Sequence, residues 1–316
     1  MGKGLKSASV LIIKLGALGD FIQALGPMAA IRTRHKGERI VLLTTRPYYD
    51  FAEASGYADQ VWLDQRPELF EIKQWLAFRR VLRHAGFKRV YDLQTSDRSC
   101  FYYRLFFPNK PPEWSGIARG CSLPHDNPDR DNMHTVERQR EQMTQAGVHM
   151  EGFDDISKLN LSWASADISV FGLPKDFVLL VPGGAQHRPA KRWSEGNFKA
   201  LAAGFMARGH TPVLLGGVEE AALIGAIATA VPGAIDLAGR TDLLQMAELG
   251  RGANFAVGND TGPMHLISAI GCKSVVLYSH ESDPALCGQR GRDVTILRRS
   301  SLAEFSTDDV LETIGG

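Results

Sequence analysis

The sequence predicts an α/β chain of two Rossmann-like units whose parallel sheets face each other across a cleft. Three observations carry this expectation. The 316 residues exceed the ~150 typical of one domain. Short apolar runs rich in Val, Ile and Leu alternate with longer helix-like stretches, the pattern of parallel strands covered on both faces. That alternation lapses in a proline-punctuated and then aperiodic region and restarts near Phe177. The units are accordingly placed at 1–165 and 166–316.

The elements follow in order. Ser9–Leu15 is a β-branched run that reads as a buried strand. Asp20–His35 has apolar residues near helical spacing, with a kink or stop expected at Gly26-Pro27. Arg39–Thr45 reads as a strand, Tyr48–Gly56 as a short helix and Gln60–Leu63 as a strand. Glu68–Ala85 reads as a long arginine-rich helix, and Arg89–Leu93 as a strand. Asp97–Phe107 and His134–Ala146 read as helices. Residues 108–132, with five prolines, read as loop.

The second half repeats the scheme. Strands are expected at Phe177–Val181, Pro212–Leu215, Asn254–Val257, Ser274–Tyr278 and Val294–Leu297. Helices are expected at Ser194–Arg208, Glu219–Ala230, Thr241–Gly250 and Pro263–Ile270, with Ser194 and Thr241 as N-caps.

Composition narrows the function classes. Hydrophobic residues are 44% and charged residues 22%, which excludes a disordered or fibrous chain. The net charge of +1 argues against a nucleic-acid binder. It averages unlike halves: residues 1–165 carry 23 Lys and Arg against 19 Asp and Glu, and residues 166–316 carry 13 against 16. Cys100, Cys121, Cys272 and Cys287 form no metal spacing and read as reduced thiols. Lys3 and Lys6 precede an apolar run that Lys14 cuts short, so no signal peptide is expected. No stretch is long and apolar enough for a membrane span. The expectation is a cytoplasmic protein, with peripheral membrane contact left open.

Three segments could carry chemistry. The first is Gly16-Ala17-Leu18-Gly19-Asp20, where glycines after a strand allow close approach. Lys14 replaces the first glycine of a dinucleotide fingerprint, and Thr44-Thr45-Arg46 replaces the acid after strand two, so NAD is disfavoured. Arg46 leaves an NADP reading open. Asp20 reads either as a helix-start acid or as a base at a cleft mouth.

The second segment runs from Pro182 through Gly183, Gly184 and His187 to Lys191-Arg192-Trp193. Its cations beside a glycine pair suit an anion, or a solvated basic loop. It lacks a P-loop ending, which argues against an NTPase. The third is Gly258-Asn259-Asp260-Thr261-Gly262-Pro263-Met264-His265, expected to point free N–H groups into the cleft from a helix start. His265 falls on its first turn and reads as either structural or functional.

Weaker signals remain. Glu219 or Glu220 after Gly216-Gly217 suits a ribose hydroxyl or a helix start. Arg79, Arg80 and Arg83 on the 68–85 helix suit a solvated face, an anionic lipid or an anionic acceptor.

From Val10 to Gly291, these segments in this order resemble glycosyltransferase family nine, the ADP-heptose:lipopolysaccharide heptosyltransferases. Ser282-Asp283-Pro284 also fits. The resemblance implies a GT-B fold, with an acceptor-binding domain first and a nucleotide-sugar domain second. It implies inverting transfer of a heptose to the lipopolysaccharide inner core, with ADP-sugar as substrate, no cofactor and no metal. By position Asp20 is then the general base, with Gly16, Gly19, Arg79, Arg80 and Arg83 on the acceptor side. Lys191 neutralises the departing diphosphate. Gly183, Gly184, His187, Asp260, Thr261, Gly262 and His265 hold the donor, and Glu220 the ribose. The chain departs from the family at Gly184-Ala185-Gln186-His187, where many members carry hydroxyl residues, and at Gly26, where a leucine is usual. A transferase using another nucleotide sugar or glycan, an NADP-dependent oxidoreductase and a non-catalytic sugar-nucleotide or lipid binder are the competing readings.

Overall fold

A computed structural model describes residues 10–315. Lys3, Lys6 and the expected strand start at Ser9 lie outside the described residues. The chain divides into two units, residues 1–159 and 160–316, where the sequence placed the division at 165/166.

The first unit runs β1 (Val10–Ile13), α1 (Leu18–Gln23), α2 (Leu25–Arg34), β2 (Ile40–Thr44), α3 (Tyr49–Ser55), β3 (Gln60–Leu63), α4 (Ile72–His84), β4 (Arg89–Asp92), α5 (Asp97–Arg104), β5 (Glu113–Gly116), β6 (Leu123–Pro124) and α6 (Thr135–Gln145). Its six strands are parallel in the order β3-β2-β1-β4-β5-β6. Every residue of β1 and β2 is buried. A central strand covered on both faces has no solvent side, which is why these runs lack alternation. Leu11, Ile13, Val41, Leu43, Val90, Tyr102 and Trp114 pack into one core on the α4–α5 side.

Three details differ from expectation. The first helix breaks at Ala24, before Gly26-Pro27. Pro27 instead lies in the first turn of α2, where its missing N–H costs nothing. The long helix begins at Ile72, not Glu68. Residues 68–71 form a turn in which the Glu71 carboxylate accepts from the Glu68 N–H at 2.7 Å. The proline-rich stretch contains two strands, β5 and β6. Both are short, and β6 pairs only through Leu123 and Pro124, so no periodicity marks them.

The second unit runs β7 (Phe177–Val181), α7 (Glu195–Ala207), β8 (Thr211–Leu214), α8 (Ala221–Ala230), β9 (Ile235–Asp236), α9 (Leu243–Gly252), β10 (Ala256–Asn259), α10 (Gly262–Ala269), β11 (Ser274–Tyr278), α11 (Pro284–Cys287), β12 (Val294–Arg298) and α12 (Thr307–Gly315). Its parallel order is β12-β11-β10-β7-β8-β9. Val178, Leu180, Phe198, Phe205, Leu214, Ile224 and Leu277 form its core. Ser194 caps α7, accepting from the Asn197 N–H at 3.1 Å. The cap of α9 is Asp242, not Thr241, because Asp242 and Gln245 exchange hydrogen bonds reciprocally. The edge strand β9 and the terminal helix α12 had no sequence expectation.

Strand order matters most for function. In each sheet the order reverses beside the unit's first strand, between β1 and β4 and between β7 and β10. Connections leave such neighbours on opposite faces, so a crevice opens at their carboxyl ends. The motif segments begin at those ends.

Candidate active site

In the first unit, β1 delivers Lys14 to Asp20 at the reversal and β4 delivers Asp92 to Thr95. Gly16 has φ +132°, and a Cβ there would stand 2.8 Å from the Tyr48 ring. Only glycine suits that backbone and that neighbour. Gln94 Oε1 accepts from the Leu15 N–H at 2.8 Å and the Gly16 N–H at 3.2 Å, which sets the turn. Asp20 lies in the first turn of α1 and stays partly exposed, with Gly19 beside it.

Beneath the turn sits a buried pair. Lys14 Nζ donates to the Leu93 carbonyl at 3.1 Å. Burial pulls its ammonium down to about 8, against the opposing pull of Asp20 and Asp92. Burial pushes the Asp92 carboxyl up to about 6, although N–H groups of Thr95 and Gln94 favour its ionised form. Sequence reading assigned nothing to Asp92 or Gln94. Their signal was position after a strand, which acquires meaning only once β4 is known to flank β1.

In the second unit, Asn259 at the end of β10 is fully buried. Its Nδ2 donates to the carbonyls of Pro182 and Gly183 at 2.9 and 3.0 Å. Its Oδ1 accepts from the Trp193 N–H at 3.0 Å. One side chain thus clips both ends of the 182–193 loop. Gly183 packs against Glu220, whose Cγ would lie 2.8 Å from an added Cβ. Glu220 also accepts from the Gly217 N–H at 2.8 Å and so caps its own turn. The Gly184 carbonyl accepts from Arg192 Nε and Nη2 at 3.1 and 2.6 Å. His187 is exposed on the loop.

Asp260 is the hub of this site. It pairs with Lys191 Nζ at 2.5 Å and accepts from Tyr278 OH, Ser282 Oγ and Gln289 Nε2 at 2.9, 2.8 and 3.0 Å. Burial alone would raise its pKa. Lys191, with Ser282 and Tyr278, outweighs this and holds the carboxyl below the usual range. Lys191 is therefore neutralised by Asp260, which sequence did not anticipate. Next along the chain, Thr261 is the N-cap of α10, and its buried Oγ1 has no hydrogen-bond partner among the described residues. Gly262 opens the helix, and His265 is buried on its first turn. Free helix N–H groups, a hydroxyl and an ammonium converge here, as a phosphate group requires.

Arg79, Arg80 and Arg83 lie on α4. Among the described residues they share no hydrogen bond or ion pair with the Gly16–Asp20 turn. Arg46 pairs loosely with Asp50 at 3.9 Å on the surface. All four cysteines are free thiols. Among the described residues no cluster of His, Cys, Asp or Glu could hold a metal ion, and no helix is long and apolar enough to cross a membrane.

Two Rossmann-like units, each built on a six-stranded parallel sheet, define an α/β protein of the GT-B class. The chain belongs to glycosyltransferase family 9 (heptosyltransferase), which residues 75–314 match. It is a glycosyltransferase, and the NADP reading raised by Arg46 falls away. It is 30% identical over 104 residues to lipooligosaccharide heptosyltransferase 2 of Haemophilus influenzae, covering 31% of this chain and 30% of that protein. The match thus spans under a third of that relative. In structure the chain is similar to the ADP-heptose lipopolysaccharide heptosyltransferase II of E. coli, with TM-score 0.78, 18% identity and 97% of each chain covered. It is also similar to the E. coli heptosyltransferase WaaC with ADP, with TM-score 0.76, 19% identity and 97% and 99% of the two chains covered.

Proposed function

We propose that the protein transfers a heptose from ADP-heptose to an anionic glycolipid acceptor of the lipopolysaccharide inner core, inverting the anomeric centre without a metal ion. The observation that carries this reading is the Lys191 ammonium held on Asp260 beside the α10 start, in a chain of this family. The second unit binds the donor. Gly183 and Gly184 admit the diphosphate, and Thr261, Gly262 and the α10 N–H groups receive it. Glu220 takes the ribose, while His187 and His265 serve the diphosphate and sugar. The diphosphate competes with Asp260 for Lys191, so the ammonium is placed before it is used.

The first unit supplies the base. The Asp20 carboxylate takes the proton of the acceptor hydroxyl as its oxygen attacks the anomeric carbon. The bond from that carbon to the diphosphate oxygen breaks, and ADP leaves with the electron pair. Negative charge grows on ADP in the transition state, where Lys191 and the helix N–H groups count most. An aspartate is a weak base, so its effect depends on placement against the hydroxyl.

The test is ADP release with a panel of nucleotide sugars and a lipopolysaccharide-core acceptor. ADP-heptose is expected to give the highest kcat/KM. Turnover with another donor alone, or with none, overturns the reading.

A further inference from the structure

The apolar surface of the first unit is concentrated where α4 begins. Leu69, Phe70, Ile72 and Leu76 are 91%, 77%, 66% and 56% exposed. This is not a frayed loop. The Trp75 indole N–H donates to the Glu68 carbonyl at 2.9 Å, and the Glu71 carboxylate holds the Glu68 N–H. The turn is built, and it faces Leu69 and Phe70 outward. Ile72 and Leu76 continue along the helix at i and i+4, and Arg80 and Arg83 extend the same face.

The cationic end is equally specific. Arg79 Nε donates to the Leu105 carbonyl at 3.0 Å, and its Nη2 donates to the Phe107 carbonyl. Arg80 and Arg83 make no ion pair with any described residue. Leu76, the three arginines, His84 and Asn109 line a groove of about 500 Å³. Neither acid of the segment is ion-paired with these arginines: Glu71 is engaged at its own helix start, and the exposed Glu68 bonds through its backbone. An apolar turn leading into unpaired cations matches an interface with hydrocarbon below and anionic headgroups above.

We propose that Leu69–Leu76 and the arginine groove form a docking surface for an anionic phospholipid bilayer. Leu69, Phe70 and Ile72 enter the headgroup–acyl boundary, while Arg80 and Arg83 meet lipid phosphates. This deepens the proposed function, naming where a lipid-borne acceptor is met, and rests on that reading only for the acceptor's identity.

The test is flotation of the full chain with phosphatidylcholine vesicles with and without phosphatidylglycerol. Two double variants are compared, Leu69→Ser with Phe70→Ser and Arg80→Gln with Arg83→Gln. Far-UV circular dichroism and melting check folding, which substitutions at the exposed Leu69, Phe70 and Arg80 and the half-buried Arg83 are expected to leave intact. Wild type is expected to float only with the anionic vesicles. The arginine variant is expected to bind about 30-fold less, and the apolar variant more than about tenfold less. No wild-type binding, or wild-type binding by either variant, overturns the proposal. So does an apolar variant that dissociates a dimer yet keeps vesicle binding, which assigns the patch to self-association. Vesicle binding involves no turnover, so its failure is separate from failure of the donor panel.

Discussion

Asp20, Asp92 and the Lys191–Asp260 pair pose different questions of charge. If Asp20 is the base, Asp20→Ala lowers kcat by about 10²–10⁴-fold and leaves ADP affinity unchanged. Unchanged turnover removes Asp20 from the role. Asp92 sits near 6 when folded against an ordinary 3.8. A raised carboxyl stabilises the fold fully below the unfolded value and loses that contribution as pH rises through the folded one. The swing is about 3 kcal/mol. Asp92→Asn is therefore expected to gain stability relative to wild type from pH 4 to pH 7, read by urea denaturation. A difference that stays flat across that range refutes the assignment. Lys191 and Asp260 act as a unit, because removing either leaves a buried charge alone. In a cycle of Lys191→Met and Asp260→Asn, the double variant should lose much less stability than the two single losses combined.

Among the elements, the 182–193 loop depends on β10. Asn259→Ala removes three hydrogen bonds from a buried site and is expected to cost about 3 kcal/mol of stability. Donor affinity should fall with it, in a titration of ADP against the variant. Gly26 in α2 shows the opposite constraint. A Cβ there would lie 2.1 Å from the Phe153 carbonyl oxygen, which accounts for glycine at this position. Helix α4 carries its own test. Neutralising Arg79, Arg80 and Arg83 is expected to raise acceptor KM and leave donor KM alone. Equal loss of both returns the helix to a solvated face. Arg79 will also cost stability, since it ties α4 to the carbonyls of Leu105 and Phe107.

At the scale of the whole molecule, the charge split gains a physical reading. Residues 166–316 carry more acid than base, yet they are the half proposed to bind an anionic nucleotide. Overall charge therefore cannot attract the donor. Lys191, the α10 N–H groups and the loop cations must do so locally. ADP is expected to raise the melting temperature and NADP to leave it unchanged. At 100 times its Kd, ADP should add about 2.7 kcal/mol. A shift with NADP alone would reverse the order.

The alternation of strands and helices, the two-unit plan and the three motif segments were legible in the sequence, because each is written in a local run of residues. Buried apolar strands such as Val10–Ile13 and Phe177–Val181 show themselves, and so does the Ser194 cap. The strands at Glu113–Gly116 and Ile235–Asp236 did not, since they are short and owe their pairing to neighbours in space. The same holds inside the site. Gly16, Lys191 and Asp260 were visible as residue types in motifs. That Lys191 is held by Asp260, that Asn259 clips the loop, and that Asp92 and Gln94 underlie the Asp20 turn were decided by tertiary structure. Lys14 meets Leu93 across 79 positions, and Trp193 meets Asn259 across 66. Only strand order brings such residues together, and local patterns do not encode strand order.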